Sequence, residues 1–162
     1  MALPHQKQFF FCLNKPLGLL ALLALMALQS CKHVKKVYKS ECDVGKEFKT
    51  ISFKQLMDSL DDYDQQYIEV SGKYKEDKGV SALVCDSLFA DVSNDNALWV
   101  DFSQDCPLYL SGTRQGLFED SDGEFTRINN KKVTLRGIIV LRNKGKNDRY
   151  KATIERVSLV KL

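Results

Sequence analysis

Tyr67-Ile68-Glu69-Val70-Ser71-Gly72-Lys73-Tyr74 is the stretch that decides the fold of this chain. Ile68, Val70 and Gly72 alternate with Glu69, Ser71 and Lys73, the period of a strand with one buried face, read here over residues 66–75. A glycine inside such a strand marks a bulge, a sharp bend or the close approach of another backbone. The same device returns in Val133-Thr134-Leu135-Arg136-Gly137-Ile138-Ile139-Val140-Leu141, a strand over 133–141. Two strands each bent at a glycine suit a small sheet that curls on itself.

Working outward, Glu76-Asp77-Lys78-Gly79 is a turn into a second strand over 80–85. The Asp- and Asn-rich stretch 91–96 is a loop before a third strand over 97–102. Leu98, Val100 and Phe102 share one face of that strand, and Trp99 lies on the other beside Asp101. Residues 103–130 have little periodicity; they hold Pro107, three glycines and the acidic run Glu119-Asp120-Ser121-Asp122-Gly123-Glu124. Beyond the strand at 133–141, residues 143–148 form a turn and 150–160 a fifth strand. A bulge is expected near Arg156, where the apolar spacing shifts between Ile154 and Val157. Upstream, Ser52 and Gln55 fit a capping box, and Phe53, Leu56, Met57 and Leu60 form the stripe of an amphipathic helix ending near Asp62.

Three strands, a long connection and two more strands is the order of an OB-fold, a small Greek-key barrel. The expectation is a mainly β domain over 49–162: a five-stranded OB-like Greek-key barrel with one N-terminal amphipathic helix. Whether 107–130 carries a helix is left open by the pattern. The expected core is Ile68, Val70, Leu83, Leu98, Val100, Phe102, Val133, Leu135, Ile139 and Ile154, with Leu56 and Leu60 capping one end. Val70-Ser71-Gly72, Ser81-Ala82-Leu83 and Leu98-Trp99-Val100 together resemble segments of small bacterial OB-like proteins. That resemblance implies a fold and no activity.

The N-terminal region has a different composition. Residues 17–28 are apolar, Lys7 and Lys15 precede them, and no acidic residue comes before Glu41. A basic start followed by a short apolar run reads as a secretory signal peptide. The run falls short of the ~20 residues that cross a bilayer comfortably. Its end, Leu28-Gln29-Ser30-Cys31, resembles the lipobox of bacterial lipoproteins. The resemblance implies removal of residues 1–30, acylation of Cys31, and attachment to a membrane of the cell envelope through that lipid. Lys32 follows the cysteine where an inner-membrane retention signal would place Asp, which by the same resemblance implies the outer membrane. Residues 31–48 are then expected to be a tether. Its Lys32, His33, Lys35, Lys36 and Lys39 are either a solvated face or a contact for anionic head groups.

Removing residues 1–30 from 162 leaves 132, enough for one domain that buries a core unaided. Basic residues fall from 24 to 22 against 21 acidic ones, so the side-chain balance is about +1. Neither this balance nor an extracytoplasmic anchor favours nucleic acid as a partner. Three cysteines remain besides Cys31: Cys42, Cys85 and Cys106. If strands 80–85 and 97–102 form one hairpin, Cys106 lies several residues further from its loop than the position opposite Cys85. That separation exceeds the ~7 Å Cα limit of a bridge. Cys85 also continues a strand, where a free cysteine packs as a small hydrophobe. Cys42 and Cys106 fall in irregular segments that can meet, so Cys42–Cys106 is the expected disulfide, with Cys85 free.

Chemistry-bearing motifs are scarce. The two histidines are His5 and His33, so the expected domain offers none as general base or metal ligand. No Cys-x-x-Cys, Gly-x-Ser-x-Gly or phosphate-binding glycine loop occurs. Asp120-x-Asp122-Gly123 imitates part of an EF-hand loop, but Phe118 would stand at its first position, so no metal is expected. Glu69, Asp86, Asp101 and Glu155 lie on or beside strands, where solvent-facing carboxylates are ordinary. A carboxylate-based hydrolase is the least supported reading, and no cofactor is implied.

Trp99, with Asp101, is the candidate ligand platform. If it faces outward it can stack on an oligosaccharide or a peptide; otherwise the N-terminal helix or the 107–130 segment covers it as a second core. The leading expectation is a non-enzymatic, lipid-anchored envelope protein with a binding or assembly role and an envelope protein or glycan as partner. The alternative is a lipoprotein that holds its ligand on the Trp99 face.

Overall fold

The computed structural model describes residues 35–86, 94–120 and 123–162. The apolar run 17–28, the motif ending at Cys31 and the start of the tether therefore lie outside the described residues. None of the described helices is long and apolar enough to cross a membrane.

The chain is mainly β. The described strands are β1 (Val37–Lys39), β2 (Lys49–Ile51), β3 (Tyr67–Asp77), β4 (Val80–Val84), β5 (Ala97–Val100), β6 (Tyr109–Leu110), β7 (Lys132–Val140) and β8 (Thr153–Lys161). One α-helix, α1 (Phe53–Asp58), lies between β2 and β3 and is followed by a 3-10 turn, Leu60–Tyr63. Ser52 caps α1, its Oγ accepting the Gln55 N–H at 3.2 Å. The α-helix stops four residues short of the expected end, and the 3-10 turn carries the apolar stripe on to buried Leu60 and Tyr63.

All eight strands belong to one sheet. β3 pairs antiparallel with β4, and β4 with β5. β5 runs parallel to β8, β8 antiparallel to β7, and β7 antiparallel to β3, so the pairing returns to its start. β2 adds to β3 in parallel, β1 adds to β8, and β6 adds to β1.

The two interior glycines sit where strands crowd. A Cβ on Gly72 would lie 2.6 Å from the Val84 carbonyl oxygen and 2.9 Å from Leu83 Cγ. One on Gly137 would lie 2.6 Å from Ile154 Cγ2 and 2.7 Å from the Glu155 carbonyl oxygen. Any side chain would hold these neighbours apart. At the expected bulge, a step of two residues on β7, Arg136 to Ile138, matches a step of four on β8, Leu159 to Glu155. Arg156 takes a left-handed φ of 49° there. The bulge also divides one edge of β8: Thr153 and Ile154 pair with β5, and Leu159, Val160 and Lys161 pair with β1.

Ile68, Val70, Leu83, Leu98, Val100, Val133, Leu135, Ile139 and Ile154 are buried together, with Leu56 and Leu60 packed against them. Phe102 departs from expectation. β5 ends at Val100, and the Asp101 N–H makes the last contact, 2.9 Å to the Ile154 carbonyl. The bulge turns β8 away just beyond, so Phe102 leaves the strand and is only half-buried.

Two further expectations are corrected. The stretch 31–48 is not all tether: residues 37–39 are a strand on the edge of β8, and Tyr38 is buried. Sequence patterning missed it because three residues are too few to show a period. The five expected strands are joined by three short ones, β1, β2 and β6, for the same reason. The described residues of 103–130 include bridges between Tyr109 and Gly116 and between Phe118 and Thr126, and bury Leu108, Leu117 and Ile128. The described residues of 103–130 contain no helix.

Candidate functional site

β5 turns Leu98 and Val100 into the core and Trp99 to the opposite face. Trp99 stands across from Ala82 on β4 and Thr153 on β8. Its ring packs on Tyr150, with centroids 5.4 Å apart and planes at 51°. The Gly145 backbone is so close that a Cβ would lie 2.5 Å from Trp99 Cγ. With Ala82, Val84, Ala97 and Tyr150, Trp99 makes a second small apolar cluster. Its cover therefore comes from residues 143–150, not from α1 or the 107–130 segment. The Thr153 hydroxyl donates to the Asn143 carbonyl at 2.8 Å and the Tyr150 N–H to the Lys144 carbonyl at 3.0 Å, which folds this loop back onto the sheet.

The remaining surface of Trp99 lines a cleft of about 350 Å³ between β5, the β3–β4 turn and Phe118, Glu124 and Phe125. A larger cleft of about 600 Å³ adjoins it, sharing Phe102 and Phe118 and reaching Tyr109. Phe102 stands edge-on to both Tyr74 and Phe118, each centroid 5.8 Å away. Sequence reasoning did not name these rings as site residues. Tyr74 carried a legible signal, since it continues the inward phase of Ile68, Val70 and Gly72, and it is fully buried. Phe118 carried none, because it reaches the cleft through long-range contacts.

Hydrogen bonds set the far wall of the cleft. Glu76 Oε2 accepts the Thr126 N–H at 2.9 Å and the Thr126 hydroxyl at 2.8 Å. Asn129 brackets the Glu76 backbone, accepting its N–H at 3.0 Å and donating to its carbonyl at 3.1 Å. Tyr74 Oη lies 3.0 Å from Ser81 Oγ, and the Ser81 hydroxyl donates to the Val100 carbonyl at 2.7 Å. Burial pushes the Tyr74 hydroxyl pKa far upward, so it stays protonated.

Asp101 lines the cleft beside Trp99. Partial burial, and then the Glu155 carboxylate, hold its pKa above the ordinary value. Glu155 accepts from Asn143 Nδ2 at 2.8 Å. The other two strand carboxylates have separate partners: Glu69 meets Arg136 at 2.6 Å and Asp86 meets Lys132 at 2.7 Å. The four therefore do not form one acidic centre.

A disulfide joins Cys42 to Cys106, with Cα atoms 5.2 Å apart, and Cys85 is free and half-buried. Asp43 is buried beside the bridge. Its Oδ1 accepts from Arg156 Nη2 at 2.8 Å and Nε at 3.2 Å, and Arg156 also donates to the Cys42 carbonyl at 2.9 Å. Cys42, Asp43 and Cys106 bring their ligand atoms within 4.8 Å of one another. The sulfurs are bonded to each other and the carboxylate to Arg156, so this trio is a structural junction rather than a metal site. Comparisons with protein-family models, with curated proteins and with solved structures find no match to this chain.

Proposed function

We propose that this chain is a lipid-anchored protein of the cell envelope, without catalytic activity, whose OB-like barrel serves binding or assembly. The observation that carries the reading is Leu28-Gln29-Ser30-Cys31 at the end of the apolar run 17–28. The outer membrane is the proposed address, on the Lys32 that follows Cys31. Lys35, the first described residue, is four residues beyond Cys31, at most about 14 Å of extended chain. A domain so tethered works against the membrane surface. Support for the barrel is the cyclic pairing β3–β4–β5–β8–β7, with its parallel β5–β8 contact, in the strand order of an OB-fold. Support for a non-catalytic role is the absence of histidine after His33 and the separate partners of Glu69 and Asp86.

Replacing Cys31 with Ser tests the anchor. One acyl chain holds a protein only marginally and two or more hold it stably. The variant should therefore leave the membrane fraction or accumulate uncut. Fractionation with lipid at the normal mature mass would refute the reading. A second reading, that the Trp99 face holds a ligand, is favoured by the cleft of about 350 Å³ that Trp99 lines.

A further inference from the structure

The cleft beside Trp99 brings together two surfaces of different chemistry. Its floor is aromatic: Trp99, Phe102 and Phe118 all line it. Its rim is acidic: Asp77, Asp101 and Glu124 line it, with Lys78 as the one basic residue of the lining. Glu76 also lines it, but its carboxylate is engaged by Thr126. Lys146, whose ammonium reaches Gly79, stands just beyond the turn.

Two of these carboxylates, Asp77 and Asp101, differ from those elsewhere in the described residues. Ion pairs among the described residues take up Asp43, Asp58, Glu69, Asp86 and Asp120. None takes Asp77 or Asp101. The Asp77 carboxylate accepts from the Lys78 backbone N–H at 2.7 Å. Asp101 lies in the cleft wall with its charge opposed first by partial burial and then by the like charge of Glu155, so a cation placed there offsets both. The faces of aromatic rings attract cations as well, most strongly when the cation is partly withdrawn from water.

We infer that this cleft binds a small aliphatic amine cation, its methylene groups on Phe102, Phe118 and Trp99 and its ammonium groups at Asp101 and Asp77. A neutral sugar would gain from the rings but not from the carboxylate rim. An anion would be repelled by the rim. The inference rests on the second reading above, that the Trp99 face is a ligand site, and is independent of the anchor.

Trp99 is the only tryptophan of the chain and reports directly on the cleft. The purified full-length protein is titrated at low salt with the triamine spermidine while Trp99 emission is followed. A saturable change with a dissociation constant below about 1 mM is expected. Asp101→Asn and, separately, Asp77→Asn should each weaken it about ten-fold while leaving the thermal unfolding midpoint near that of the unaltered chain. Hexane-1,6-diol, a methylene chain without charge, should produce no saturable change. Equal affinity in both variants, or equal binding of the diol, overturns the inference. Saturation by maltotriose but not by spermidine keeps the cleft as a ligand site and rejects the amine. Saturation by tetralysine alone assigns the cleft to a basic peptide and likewise rejects it. No response to any of these probes removes the ligand-site reading as well.

Discussion

Arg156 shows at the scale of one residue how strain and pairing are coupled. A non-glycine residue at a φ of 49° is disfavoured by ~1–2 kcal/mol relative to the right-handed region. The conformation aims the guanidinium at Asp43, whose side chain is 1% exposed. Among the described residues Asp43 Oδ2 is buried with no hydrogen-bond partner, and Oδ1 is held by Arg156. Arg156→Ala should therefore cost about 2–3 kcal/mol in urea unfolding, below the range for a fully buried pair because Arg156 is partly exposed. Arg156→Gly should lose about 1 kcal/mol less, since glycine accepts the left-handed backbone. Equal losses would show that the bulge is unstrained. Asp101 gives a prediction with the opposite sign. Its folded-state pKa is raised, so ionised Asp101 opposes folding. The penalty is absent below the unfolded value of ~3.9 and grows as pH rises through the folded one. Asp101→Asn should raise the unfolding free energy at pH 7 by less than about 0.5 kcal/mol, since the group is only partly buried, too little to move the thermal midpoint far, and leave it unchanged near pH 3. A gain that persists at pH 3 would place its cause outside the titration.

At the scale of the element, the strands show which sequence signals carry structural force. Gly72 and Gly137 were legible as bends, and their neighbours explain them: backbone oxygens occupy the space of the missing side chains. Gly72→Ala and Gly137→Ala should each cost about 1–3 kcal/mol, because a carbonyl oxygen cannot yield as the tip of a side chain can. Losses under half of that, read from denaturant midpoints, would mean that the strands separate easily. Leu98→Ala, at a fully buried position of β5, should cost about 2–5 kcal/mol. Helix α1 was legible from its cap and stripe, but its length was not. The apolar spacing continues to Leu60, while the backbone changes from α to 3-10 geometry after Asp58. Phe102 fails for a related reason: its phase in the sequence is inward, but the partner of β5 turns away before the strand reaches it.

At the scale of the whole molecule, the Cys42–Cys106 bridge links residues 64 apart and fastens β1 and its following turn to the segment after β5. Replacing both cysteines with Ala should lower stability by about 2–4 kcal/mol, through the greater entropy of the unbridged unfolded chain. A shift well under this range would mean that Arg156 and Asp43 hold the junction without the disulfide. The pairing is legible in the sequence, because Cys85 lies on the strand read over 80–85, whose reach keeps it from Cys106, while Cys42 and Cys106 lie in irregular segments. What the chain determines by itself is of a local kind: alternation over Ile68 to Tyr74 and over Val133 to Ile139, the Ser52 cap, the glycine bends and the break in spacing at Arg156. Each depends only on residues within a few positions, and long strands repeat the signal often enough to be read. The tertiary structure alone decided the rest. Strands of two or three residues, such as β6 and β1, show no period and exist because β8 offers an unpaired edge beyond its bulge. The cover over Trp99 comes from Gly145 and Tyr150, and its cleft gathers Tyr74, Asp101 and Phe118 from three separate segments. Such juxtapositions are set by the order in which strands pair, and no local pattern records that order.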